Sequence, residues 1–149
     1  MDDFSKEEYS LIGIHSTLED YKLAYLLNKN LNTRFCKTKE DLEFIIEKKN
    51  ASFSVYNYEN LEYHIDWLLI ANSYREENQT VSNQLLLTSE TKTHLIPEKK
   101  KVDFFIKIYG EFENEFVLKT INKIKSIDNV ITAYSIDKNT LKSKDFLIF

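Results

Sequence analysis

Between Tyr9 and Ile14 the chain is apolar on both faces, the pattern of a buried strand. The period then changes. Leu18, Tyr21, Ala24, Tyr25, Leu27 and Leu31 recur at helical spacing, so residues 17–31 are predicted to form an amphipathic helix. Ser16 and Glu19 have the spacing of a capping box at its start. Arg34 to Lys37 reads as a short strand, while residues 40–49 fit a helix capped by Thr38 and a strand through Ile45 and Ile46 equally well. Lys48, Lys49 and Asn50 are the expected turn after them. Phe53, Val55 and Tyr56 open another strand, and the polar run 57–60 is expected to turn it. From Leu61 the alternation is strict. Tyr63, Ile65, Trp67 and Leu69 point one way, and Glu62, His64 and Asp66 the other, as in a half-buried strand.

Residues 75–83 are polar and form the best internal break. Leu85 to Leu87 and Thr93 to Ile96 look extended beyond it, which makes the break the tip of a long hairpin rather than a linker. Pro97, the one proline, confines Ile96 to extended geometry and cannot donate to a ladder, so pairing should break there. A strand is expected to open at Val102. Val102, Phe104, Ile106 and Ile108 would share one face, with Asp103, Phe105, Lys107 and Tyr109 on the other. Phe116, Val117, Thr120, Ile121 and Ile124 give a second amphipathic helix, acidic at its start and basic at its end as the helix dipole favours. Val130 to Ile136 is a strand after an Asp128–Asn129 turn. The elements add up to an α+β fold in one domain, residues 1–149: a mainly antiparallel sheet, two amphipathic helices on one face, and a C-terminal β-α-β unit.

Composition narrows the chemistry. With two glycines, Gly13 and Gly110, no glycine-rich phosphate loop can be built. One cysteine, Cys36, leaves no intramolecular disulfide and no two-thiolate zinc site. The start, Met1-Asp2-Asp3-Phe4, is acidic where a secretory signal is basic, and no apolar run has the length of a membrane span, so a cytoplasmic protein with no membrane partner is expected. A net charge of −4 argues against binding duplex DNA.

His15, His64 and His94 lie far apart and match no metal or catalytic spacing, although His64 and Asp66 would be neighbours on one strand face. Cys36 has no identifiable base. The reading is of no catalytic, metal or cofactor residues. The candidate interaction residues are Pro97, Glu98, Lys99, Lys100, Lys101 and Asp103 around the proline, together with Phe146 and Phe149 in the apolar ending Phe146-Leu147-Ile148-Phe149. That ending is expected to be ordered as a strand, on the domain's own sheet or on a second copy.

Ile96-Pro97-Glu98 followed by Val102-Asp103-Phe104 resembles the signature of the IPExxVDY proteins, a family of small, uncharacterised bacterial proteins. Leu11-Ile12-Gly13-Ile14-His15, the block Leu18 to Tyr25, Val130 to Tyr134 and the ending 143–149 are similar to that family as well. The chain departs from the signature by one extra residue before Val102 and by Phe104 in place of tyrosine. The resemblance implies no catalytic residue, cofactor or substrate. Two functions fit best: a non-enzymatic binding or regulatory module that contacts a protein partner or a second copy, and an RNA- or ribosome-associated factor using the Lys99–Lys101 turn and nearby aromatics, which the net charge disfavours; a small enzyme using His15, His64 or His94 is a weaker third.

Overall fold

A computed structural model describes residues 8–82 and 85–147. Strand β1 (Tyr9–Ser16) leads into helix α1 (Asp20–Leu31), then β2 (Cys36–Lys37), β3 (Leu42–Ile46), β4 (Lys49–Phe53), β5 (Val55–Asn60) and β6 (Ile65–Ala71). A long pair, β7 (Ser73–Ser82) and β8 (Leu85–His94), precedes a 3₁₀ turn at Pro97–Lys99 and β9 (Phe104–Tyr109). Helix α2 (Asn114–Lys125), β10 (Val130–Ile136) and two more 3₁₀ turns, Lys138–Thr140 and Lys144–Leu147, complete it.

Six strands form one antiparallel sheet in the order β10-β1-β9-β6-β5-β2. The α+β expectation holds, with both helices against the same core on one face. Strands β9 and β10 are both antiparallel to β1, which lies between them, so the β9-α2-β10 connection joins two parallel strands across a third. On the helix side, Leu23, Ala24 and Leu27 of α1 and Val117, Ile121 and Ile124 of α2 cover Ile12, Ile14, Trp67, Leu69, Ile106 and Ile108. The opposite face is also buried. There, Phe53, Val55, Leu95, Ile96, Val102, Phe105, Leu141 and Leu147 form a second core beneath the β3–β4 hairpin and the C-terminal turns. Strands covered on both faces must be apolar throughout, which is why Phe104 to Ile108 reads as a nearly unbroken apolar run. Gly13 packs closely against that second core: a Cβ there would stand 2.7 Å from Ile136 Cδ1, so that side chain would have to shift.

Several boundaries move. The first helix starts at Asp20, not 17, and no side chain caps it. Ser16 instead continues β1 opposite Val130, donates its hydroxyl to the Asn129 carbonyl and accepts the Leu18 amide. Residues 42–46 are strand. The turn that follows is Glu47–Lys48, both left-handed, rather than 48–50, because a two-residue loop of that hand matches the strand twist. Asn57 to Asn60 pairs within β5 instead of turning. The turn falls at 61–64, where the Asn60 side-chain oxygen accepts the amides of Glu62 and Tyr63 and His64 is left-handed. His64 and Asp66 therefore do not share a strand face. The polar stretch from Arg75 is strand, and the expected hairpin is present. Pairing does stop before Pro97, but β9 opens at Phe104. The Val102 amide is held by the Lys99 carbonyl, so Val102 enters the second core while Phe104 enters the first. The two do not share the face expected of them. The ending is a 3₁₀ turn through Leu147 rather than a strand, and Phe149 lies outside the described residues.

Candidate interaction surfaces

The proline segment is built around a residue that stands well before it in the chain. Asn72, fully buried between β6 and β7, donates its side-chain amide to the carbonyls of Lys99 (2.9 Å) and Val102 (2.8 Å) and accepts the Ile96 amide (2.8 Å) on Oδ1. Its backbone donates to the Asp103 carbonyl and accepts the Leu95 amide. Ile96 and Val102 are buried on either side of the turn. Pro97 occupies the first 3₁₀ position, where its missing amide costs nothing. The Glu98 carboxylate accepts the amide (2.8 Å) and the hydroxyl (2.9 Å) of Ser143, tying the turn to the C-terminal segment. Burial pushes the Glu98 carboxyl up, but the bonds from Ser143, together with the backbone amides of Glu98 and Lys142, outweigh it and hold the group below its ordinary value. Asp103, half-buried, accepts the Ser16 amide at 2.8 Å and so fastens β9 to the end of β1. Lys100 and Lys101 are exposed and Lys99 is half-buried. Each hydrogen-bonding residue of the signature thus closes the fold, while Pro97, Glu98, Lys100 and Lys101 are exposed.

The C-terminal segment reaches an unexpected partner. Lys107 lies fully buried in the middle of β9 and donates its amine to the Leu147 carbonyl. The amine stands 4.5 Å from the Tyr9 ring centre and 4.9 Å from that of Tyr109, a pair of cation–π contacts. Burial, with help from the Lys138 charge, pushes Lys107 down to about 7. Burial also pushes Tyr109 up to about 12, aided by Tyr9 and Asp66. Phe146 is half-buried with its ring 4.8 Å from that of Phe44. The alternation of β9 placed Lys107 on the face opposite Ile106 and Ile108. It could not reveal that this face is also covered, because the covering comes from residues far along the chain.

The histidines and Cys36 do not converge. His15 Nε2 is 2.7 Å from the Tyr134 hydroxyl, His64 is in the β5–β6 turn, and His94 ends β8. His94 is held low by burial and by Lys92 and Lys100, partly offset by Asp103. Cys36 is exposed on the two-residue strand β2. Among the described residues no three His, Cys, Asp or Glu side chains are grouped as a metal would require. A cleft of about 550 Å³ opens where β1 passes into α1, lined by Glu19, Asp20, Arg75, Lys92 and Asp103 among others. Its lining is of mixed charge, and neither a histidine nor the thiol takes part.

The β7–β8 pair is the largest feature outside the main sheet. It forms its own two-stranded sheet, registered from Ser73 opposite His94 to Ser82 opposite Leu85. Ten residues per strand give an arm about 33 Å long. Its base is anchored by Asn72, by Tyr74 against the second core and by contact with β4. Its base is also charged, with Arg75, Glu76, Glu77, Glu90 and Lys92, whereas no residue from Asn78 to Ser89 carries a charge. Val81 stands opposite Leu86, and Thr80 opposite Leu87, toward the tip.

No helix of the described residues is long and apolar enough to cross a membrane. Comparison with family models, with curated proteins and with solved structures returns no match.

Proposed function

We propose that the chain is a non-enzymatic protein-binding module of the cytoplasm and that its partner surface is the β7–β8 arm. One observation carries the reading: a ten-residue antiparallel pair that forms a sheet of its own and ends in a long uncharged segment. A two-stranded hairpin is marginally stable in water unless a third element packs on it. Ladder groups on its outer edges and apolar residues toward its tip are what an extended segment of another protein uses when it adds as a strand. The absence of charge from Asn78 to Ser89 disfavours a phosphate-bearing partner and favours a peptide backbone. In the proline turn, by contrast, Glu98 and Asp103 are committed to internal bonds.

Glu76 and Thr91 are directly opposite, so the arm can be cut there without changing register. We expect a variant joining Glu76 to Thr91 through Asn-Gly to lose a protein that the full chain retains from native lysate. Nuclease treatment should leave that retention unchanged. Retention by the shortened variant, or loss of the partner on nuclease treatment, would overturn the proposal. The second of these results would point to RNA and to Lys99, Lys100 and Lys101.

A further inference from the structure

We infer that the β10 edge of the six-stranded sheet is a self-association surface at which two copies pair antiparallel about a two-fold axis. Among the described residues β10 pairs only with β1, so its other side is an open edge. Natural sheets blunt such edges with short strands, charges or prolines. The far edge follows that rule: β2 is two residues long, and its Lys37 pairs with Asp41. The β10 edge has a bulge at Ile131, but Thr132–Ile136 beyond it carries no such device. Val130 to Ile136 contains no charged residue, no proline and no glycine, and Val130, Ile131, Thr132, Tyr134 and Ile136 are strong strand formers. A bulge opposite Ser16 leaves Ile131 70% exposed, while Thr132–Ile136 remains in straight register with Leu11–His15.

The occupant is fixed by charge and by the neighbouring helix. A chain of net charge −4 approaches its own copy most favourably along a strip that carries none, and β10 is such a strip. An antiparallel pair of identical strands is self-complementary about a two-fold axis. Helix α2 packs along β10. Its buried stripe is Val117, Thr120, Ile121 and Ile124. Phe116, on one flank of the stripe, reaches inward to Trp67 of β6 at 5.8 Å. At about 100° per residue, Leu118 falls on the opposite flank, toward the open edge, and is 58% exposed. Pairing β10 with its copy extends the sheet across the two-fold axis and brings the two α2 helices, with their Leu118 and Ile131 side chains, to the same seam.

Sedimentation equilibrium at roughly 100 μM, above the dissociation constants of micromolar pairs, tests this. The full chain is expected at twice its 17.7 kDa mass. Ile131→Lys with Ser135→Lys, and Ile131→Glu with Ser135→Glu, change exposed positions, and each doubly substituted protein should be monomeric. Mixed one to one, they should recover the dimer mass, which unfolded variants would not do. The arm-shortened variant should remain dimeric, which separates this surface from the arm. A monomeric full chain, dimeric charged variants, a mixture that stays monomeric, or a monomeric arm-shortened variant would each overturn the inference.

Discussion

Asn72 holds three groups that apolar packing cannot satisfy: the carbonyls of Lys99 and Val102 and the amide of Ile96. Replacing it with Leu strands the Val102 carbonyl and the Ile96 amide in the interior, at about 1–3 kcal/mol for each buried unsatisfied group, while the Lys99 carbonyl keeps the Val102 amide. Asn72→Leu should therefore lower unfolding stability in urea by at least about 2 kcal/mol, whereas Lys100→Ala, at an exposed position, should change it by less than about 0.5 kcal/mol. Lys107 gives a different kind of prediction. Its amine titrates near 7 when folded and near 10.4 when unfolded, so between those values the unfolded chain binds the extra proton and stability rises with pH. Above pH 10 the trend reverses, because Tyr56 and Tyr109, both pushed up to about 12, ionise first in the unfolded chain. From pH 7 to 9 the full chain should gain about 2 kcal/mol relative to Lys107→Met, at roughly 1.4 kcal/mol per unit of pKa shift. Parallel curves for the two proteins would show that the amine is not held in its neutral form.

At the scale of elements, the regular periods were legible and the junctions were not. Both helices, the central strands and the β9-α2-β10 unit follow from spacing alone, because each element buries a face that repeats with its own period. The β5–β6 turn was misplaced because Tyr63 continues the alternation of Ile65 and Trp67 by chance, while the Asn60 side chain sets the turn through bonds that periodicity does not encode. The hairpin was expected, but its first strand was not: a strand paired only with its hairpin partner needs no apolar face, so residues 75–83 read as polar loop. The residues around Pro97 stood out in sequence, but Asn72, which organises them, carries no sequence signal beyond being a polar residue after Leu68-Leu69-Ile70-Ala71. The ending, read as a strand over residues 146–149, is a 3₁₀ turn over Lys144–Leu147 among the described residues. Deleting residues 146–149 removes buried Leu147, the Phe146–Phe44 contact and the acceptor for the Lys107 amine. Thermal unfolding should register a loss of about 1.5–3 kcal/mol for the leucine alone. An unchanged melting temperature would mean that the segment does not close the second core.

For the whole molecule, the account separates closure from contact. The segment that resembles a family signature closes the fold: Asn72 grips its backbone, Glu98 holds Ser143, and Asp103 holds Ser16. Contact with a partner is the role proposed for the arm, which forms a sheet of its own. The most direct measurement is site-specific photo-crosslinking in intact cells, with a photoreactive residue placed singly at Leu86 and Leu87 on the arm or at Lys100 on the proline turn. The account predicts a discrete protein adduct from an arm position and none from Lys100. An adduct from Lys100 alone would contradict it.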